Sequence, residues 1–116
     1  MSLQSVSPVQ ARDMMAKGAR LIDIRSASEF AGSYPQGAEN VPLGQIAGLK
    51  VNSGETVIFS CQSGARTQMN AGQLAAVGGK KAYVMAGGLS AWNMHGLPVT
   101  QGERQPSVFG RLFGSR

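Results

Sequence analysis

The stretch TVIFSCQSGARTQMNAGQLAAV, residues 56–77, decides the fold. Its opening apolar run, Thr56-Val57-Ile58-Phe59, reads as a buried strand. The run ends at Ser60 and delivers Cys61, the sole cysteine of the chain, into a loop of small residues, Gln62-Ser63-Gly64-Ala65. Good helix formers follow. Met69, Gln73, Leu74 and Val77 fit a period of about 3.6 residues loosely, and Gly78-Gly79 closes this single helix where a left-handed residue is usual. A strand, a loop and a helix in that order bring loop amides and the first free helix N–H groups to one point. Such a nest, with the positive end of the helix dipole, holds negative charge. A cysteine at its mouth has its thiolate favoured over its thiol and becomes a nucleophile. The alternative is a buried structural cysteine, which packs as a small apolar residue.

The flanking chain supplies more strands and helices. Ser7-Pro8 reads as an N-cap and a first-turn proline, opening a helix through Met14 and Met15 that stops at Gly18. Arg20 to Arg25, RLIDIR, is a strand with an acid inside its apolar run. Asp23 there is costly unless paired or placed at a strand end. It either bonds local backbone and a basic partner, Arg25 or Arg66, or faces a site. Ser26-Ala27-Ser28-Glu29 is a capping box opening a short helix with Phe30 inward, and this accounts for Glu29 as a cap. Residues 32–37, GSYPQG, read as a turn segment. Asn40-Val41-Pro42 resumes an extended path, and one short helix fits Leu43 to Leu49. Asn52 to Glu55 is a turn. Lys81 to Met85 is a strand ending at Ala86-Gly87-Gly88, and Leu89 to Met94 a short helix with Trp92 in the core. Strands alternating with helices predict an α/β fold, a central parallel sheet flanked on both faces by helices. Ligands bind such sheets beyond the carboxyl ends of the strands, where Arg25, Cys61 and Met85-Ala86-Gly87 converge.

Composition narrows the classes. The 116 residues suit one domain, with 42% hydrophobic residues to fill one core. No apolar run is long enough to span a bilayer, and no charged-then-apolar leader opens the sequence, so a cytoplasmic location is expected. One cysteine and one histidine, His95, give no metal-ligand spacing; no metal and no cofactor are expected. The net charge of +5 and pI of about 10.0 raise nucleic-acid binding. The basic residues are scattered and not interleaved with aromatics, so a solvated surface attracting small anions is the reading, not a nucleic-acid partner. Residues 101–116 differ. Arg104, Arg111 and Arg116 stand with Val108, Phe109, Leu112 and Phe113 at amphipathic spacing. That tail is either an unstructured terminus or a contact for a membrane surface, a partner or a second copy.

Three stretches resemble a known family. LIDIRSASEF resembles the opening D-x-R and E-F pattern of single-domain rhodaneses, with Asp23, Arg25, Glu29 and Phe30 in place. CQSGAR resembles their active-site loop, C-x-x-G-x-R, with Cys61, Gly64 and Arg66. GGLSAWNMHGLPV resembles their closing pattern. The resemblance covers most of residues 5–100, so residues 1–100 are expected to form one rhodanese-like domain and 101–116 a basic, aromatic tail. It departs where the family's G-H-I-P-G-A becomes Gly32-Ser33-Tyr34-Pro35-Gln36-Gly37-Ala38, without the histidine.

What the resemblance implies is sulfur transfer by double displacement. Cys61 takes the outer sulfur of a small-molecule donor such as thiosulfate, becomes a persulfide, and yields that sulfur to a thiol or cyanide acceptor, or to a protein acceptor. The amides of Gln62, Ser63, Gly64, Ala65, Arg66 and Thr67 are expected to hold the charged outer sulfur. Arg66 ties the loop to nearby carbonyls or a carboxylate, and Asp23 and Arg25 support it. Gln62 and Ser63 line the entrance; relatives often carry a basic residue at the position of Gln62, and a neutral one is expected to attract thiosulfate less. The rivals are a persulfide carrier or docking module without turnover, and a phosphatase or arsenate reductase. Cys61 to Arg66 is C-x4-R, one residue shorter than the C-x5-R loop of those phosphatases, and Ser60 stands where they carry histidine. The smaller ring suits one sulfur atom better than a phosphoryl group.

Overall fold

Val57–Ser60 forms β5, the middle strand of a sheet, and all four of its side chains are buried. The strand sits one residue later than the apolar run suggests. In the computed structural model, which describes residues 3–101, it is flanked by β2 (Arg20–Asp23) and β6 (Ala82–Met85). Two edge strands complete the sheet: β1 (Gln4–Val6) beside β6 and β4 (Glu39–Asn40) beside β2. The order is β1-β6-β5-β2-β4, and every pair is parallel, as the alternation of strands and helices predicts.

Alternation along the strands splits the core between two faces. Leu21, Ile58 and Met85 point to one face and meet α1 (Pro8–Ala16) through Ala11 and α5 (Gly88–Met94) through Leu89 and Trp92. Ile22, Val57, Phe59 and Val84 point to the other face. They meet Ile46 of the 3-10 helix Leu43–Gly48 and Leu74 of α4 (Ala71–Gly78). Each such aliphatic or aromatic side chain, taken fully from water, contributes on the order of 1.5–3 kcal/mol. Ser7 caps α1 in a box with Gln10, and Ser26 caps α2 (Ala27–Gly32) in a box with Glu29. Both caps satisfy helix N–H groups that would otherwise lack partners.

Other features also depart from the sequence reading, among them the edge strand β1, which that reading lacks. The expected single helix after the loop is two, α3 (Ala65–Met69) and α4, parted at Asn70. Asn70 leaves helical geometry, at φ −117° and ψ 23°, and both its backbone N–H and its side chain donate to the Arg66 carbonyl, at 3.1 and 2.8 Å. The segment Ser33–Pro35, expected as part of a turn, is a strand, β3, paired antiparallel with β7 (Val99–Gln101). Phe30 is half-buried and stacks on Tyr34 with ring centroids 3.9 Å apart, instead of entering the core. Among the described residues, no helix is long and apolar enough to cross a membrane. The expected tail contact lies almost wholly outside the described residues.

Candidate active site

The carboxyl ends of β2, β5 and β6 meet at one edge, and Cys61 follows β5 directly. Gly64 turns the chain back toward it. Its φ of +95° is a conformation glycine adopts without penalty, and a Cβ there would stand 3.1 Å from the Gly87 nitrogen. That turn aims the Gly64 N–H at Cys61 Sγ, 3.1 Å away. The Thr67 hydroxyl donates to the Gly64 carbonyl at 3.0 Å and lies 3.9 Å from the sulfur. The sulfur therefore rests in a pocket of its own loop, facing backbone and hydroxyl dipoles.

The loop is held from behind by α5. The Leu89 and Ser90 amides donate to the Cys61 and Gln62 carbonyls, each at 2.9 Å. Gly88 permits this approach: its φ is +57°, and a Cβ on it would collide with the Cys61 carbonyl oxygen. The closing Gly-Gly pair thus serves the loop as well as the start of α5.

From the side, Arg25 fixes Gln62. Arg25 is 3% exposed and Asp23 fully buried; the guanidinium donates to the Asp23 carboxylate through Nε at 3.0 Å and Nη2 at 2.8 Å. It also donates to the Ser33 carbonyl at 2.6 Å and to Gln62 Oε1 at 3.2 Å. Gln62 Nε2 in turn donates to Ser90 Oγ at 3.1 Å. Of the alternatives for Asp23, the partner is Arg25, with the Arg25 backbone N–H as a further donor at 2.9 Å.

Arg66 leaves the loop for α2. Its two terminal nitrogens donate to the two Glu29 oxygens at 2.9 and 3.0 Å, a bidentate fork. That fork, with the Ser26 amide, holds the Glu29 carboxyl down to about 2, and the pair raises the Arg66 pKa. Of the partners considered for Arg66, the carboxylate is the one found. Glu29 itself was legible only as a cap, because the S-x-x-E pattern already explains it. Its Oε1 serves both duties, accepting from the Ser26 N–H at 3.0 Å and from Arg66.

Two expectations change. Cys61 does not sit at the mouth of the nest: it is 1% exposed and packs with Ile22, Ile24 and Phe59, because it continues the inward path of β5. The ring of amides is also smaller around Sγ itself. Among the described residues, the Gly64 N–H is the amide that donates to it, and the following helix, α3, is only five residues long. Ser63 and Ala65 are exposed, and Thr67 is buried. Among the described residues no group of three or more His, Cys, Asp or Glu side chains gathers to hold a metal ion.

A central parallel sheet whose middle strand ends in a cysteine, followed by a glycine-turned loop and an arginine, defines an α/β domain built around one thiol. The family model for the rhodanese-like domain matches residues 7–95, and the chain belongs to that family. Among its curated relatives, thiosulfate sulfurtransferase GlpE of Haemophilus influenzae is 35% identical over 102 residues, covering 85% of this chain and 96% of its own. Thiosulfate sulfurtransferase 18 of Arabidopsis thaliana is 29% identical over 120 residues, covering 90% of this chain and 88% of its own. Among solved structures, a thiosulfate sulfurtransferase from Pseudomonas aeruginosa superposes with a TM-score of 0.74 at 24% identity, a likeness of fold. It covers 88% of this chain and 20% of that longer one. These relatives support a rhodanese-type transferase, one that takes sulfur from a donor to an acceptor thiol.

Proposed function

We propose that the protein transfers sulfane sulfur from a donor such as thiosulfate to a thiol or to cyanide through a persulfide on Cys61. The observation that carries this reading is the Gly64 N–H donating to Cys61 Sγ within a loop pinned by α5. A dipole fixed in place before reaction stabilises a sulfur anion without reorganising.

In the first step the Cys61 thiolate attacks the outer sulfur of thiosulfate. The S–S bond of the donor breaks, sulfite leaves with the bonding pair, and Cys61 carries S–S⁻. In the second, an acceptor thiolate or cyanide attacks the outer sulfur, and the thiolate of Cys61 returns as leaving group. Gly64 and its neighbours in the loop hold the charge in both steps. Arg66 and Arg25 act through the loop, anchoring it to α2 and β2. Because Cys61 is 1% exposed, the loop or its cover shifts as a donor enters. A thiol used in this way suits a reducing compartment, in keeping with a cytoplasmic protein.

Intact-mass measurement after thiosulfate treatment tests the proposal. The wild type should gain one sulfur atom and release sulfite, and Cys61→Ser should do neither. A wild type that gains no sulfur, or a Cys61→Ser variant that turns over normally, would remove it.

A further inference from the structure

We infer that the site is built for sulfane-sulfur donors carrying a single negative charge, such as a thiosulfonate or a small persulfide, in preference to dianionic thiosulfate. This rests on the sulfurtransferase reading and concerns the charge class of its donor.

The argument begins with where the cations are. Lys17, Lys50, Lys80 and Lys81 are all the lysines of the chain. All four lie at the amino-terminal edge of the sheet, away from Cys61. Lys80 and Lys81 line a cavity with Asn52 and Glu55, and Lys17 lines another with Ser53 and Glu55. The Lys50 carbonyl accepts from Arg20 at the start of β2. Among the described residues, Arg20 also pairs at the amino-terminal edge and Arg12 pairs with its neighbour Asp13, while Arg25 and Arg66 are the cations tied to the Cys61 loop.

Each is already neutralised by a carboxylate. Arg25 is 3% exposed and spends its N–H groups on Asp23, the Ser33 carbonyl and Gln62. Arg66 is forked onto Glu29. The residue next to the thiol, Gln62, is neutral, and both ends of its amide are engaged. Among the described residues, Asp23 with Arg25 and Glu29 with Arg66 sum to zero, so a thiolate at Cys61 leaves this edge net negative. The fixed dipoles of the loop can meet the one charge that a persulfide places on its outer sulfur. Among the described residues a second donor charge finds no net cation, and it faces the thiolate, which opposes close approach.

The donors can be matched in chemistry and differ in charge. From methanethiosulfonate, the Cys61 thiolate takes the outer sulfur and methanesulfinate leaves with the bonding pair, two negative charges on each side of the step. From thiosulfate, sulfite leaves, three negative charges on each side. The persulfide formed is the same. Measured as kcat/KM with cyanide as acceptor, the wild type should favour methanethiosulfonate. Glu29→Gln frees the Arg66 charge and Gln62→Lys adds one. Each should narrow the preference on the order of tenfold, by raising the thiosulfate value. That gain should fade as salt is added, since it is a charge effect. Gln62→Lys leaves the α2 cap intact and keeps the test valid if Glu29→Gln disturbs folding. A wild type that prefers thiosulfate, or a ratio unmoved in both folded variants, overturns the inference while leaving sulfur transfer standing. Failure of both donors to place sulfur on Cys61 overturns the sulfurtransferase reading as well.

Discussion

The two edges of the sheet use the same pairing of arginine with carboxylate to different ends. At the amino-terminal edge, Arg20 donates to both Glu39 oxygens, to Glu55 and to the Lys50 carbonyl, tying β2, β4 and the turn before β5 together. These partners are partly in water, and the four lysines stand around them. At the carboxyl edge, Asp23 and Arg25 are buried and carry the loop that holds the thiol. Charges at the first edge act as surface fasteners. At the second, Asp23 and Arg25 are enclosed, so each is indispensable to the other.

The largest difference should appear when each fastening is broken. Asp23→Asn leaves the Arg25 charge uncompensated in the interior, and we expect a loss of about 3–5 kcal/mol. Arg20→Met at the opposite edge should cost about 1 kcal/mol or less, because exposed pairs are screened. Urea unfolding of the two variants measures the gap, and equal losses would erase the distinction drawn here.

Next in size is Gly88→Ala. A Cβ in the left-handed conformation costs about 1–2 kcal/mol, and here it also strikes the Cys61 carbonyl. The loop must move away from α5, so sulfur loading of Cys61 should fall at least tenfold in a protein whose far-ultraviolet dichroism is unchanged. Unaltered loading would show that α5 does not position the loop.

The smallest effect belongs to the Glu29–Arg66 pair, whose side chains are 38% and 39% exposed. Solvent screening limits its contribution to about 1 kcal/mol or less. Because Arg66 and the Ser26 amide lower the Glu29 pKa from 4.5 to about 2, that contribution is complete above pH 4.5 and is lost as pH falls toward 2. Glu29→Gln should therefore lose less stability than the wild type across that interval. Parallel acid titrations would sink this assignment.

Local signals made much of this legible. The cap at Ser7, the capping box at Ser26 and the stop at Gly18 are written in neighbouring residues and stand where they were read, and the apolar run into Cys61 is a strand shifted by one residue. What escaped depends on distant partners. Gln4–Val6 is a three-residue edge strand with no alternation to betray it, formed by pairing with Tyr83–Met85. Ser33–Pro35 becomes a strand through Val99–Gln101, far along the chain. The break at Asn70 lies between two stretches of good helix formers, and only the side-chain bond to Arg66 marks it. In the site, residue types revealed the cysteine, the glycine turn and both arginines. They could not reveal that Glu29 serves Arg66 as well as Ser26, or that Cys61 lies covered.

The clasp between β3 and β7 reaches further than its size suggests. Ser33, whose carbonyl receives Arg25, is also the residue opposite Gln101. A tag or fusion joined just after Pro98 would remove that strand and slacken the arginine beside Gln62. Engineering at the carboxyl side of this domain would then be felt as altered sulfur chemistry before it was seen as lost folding.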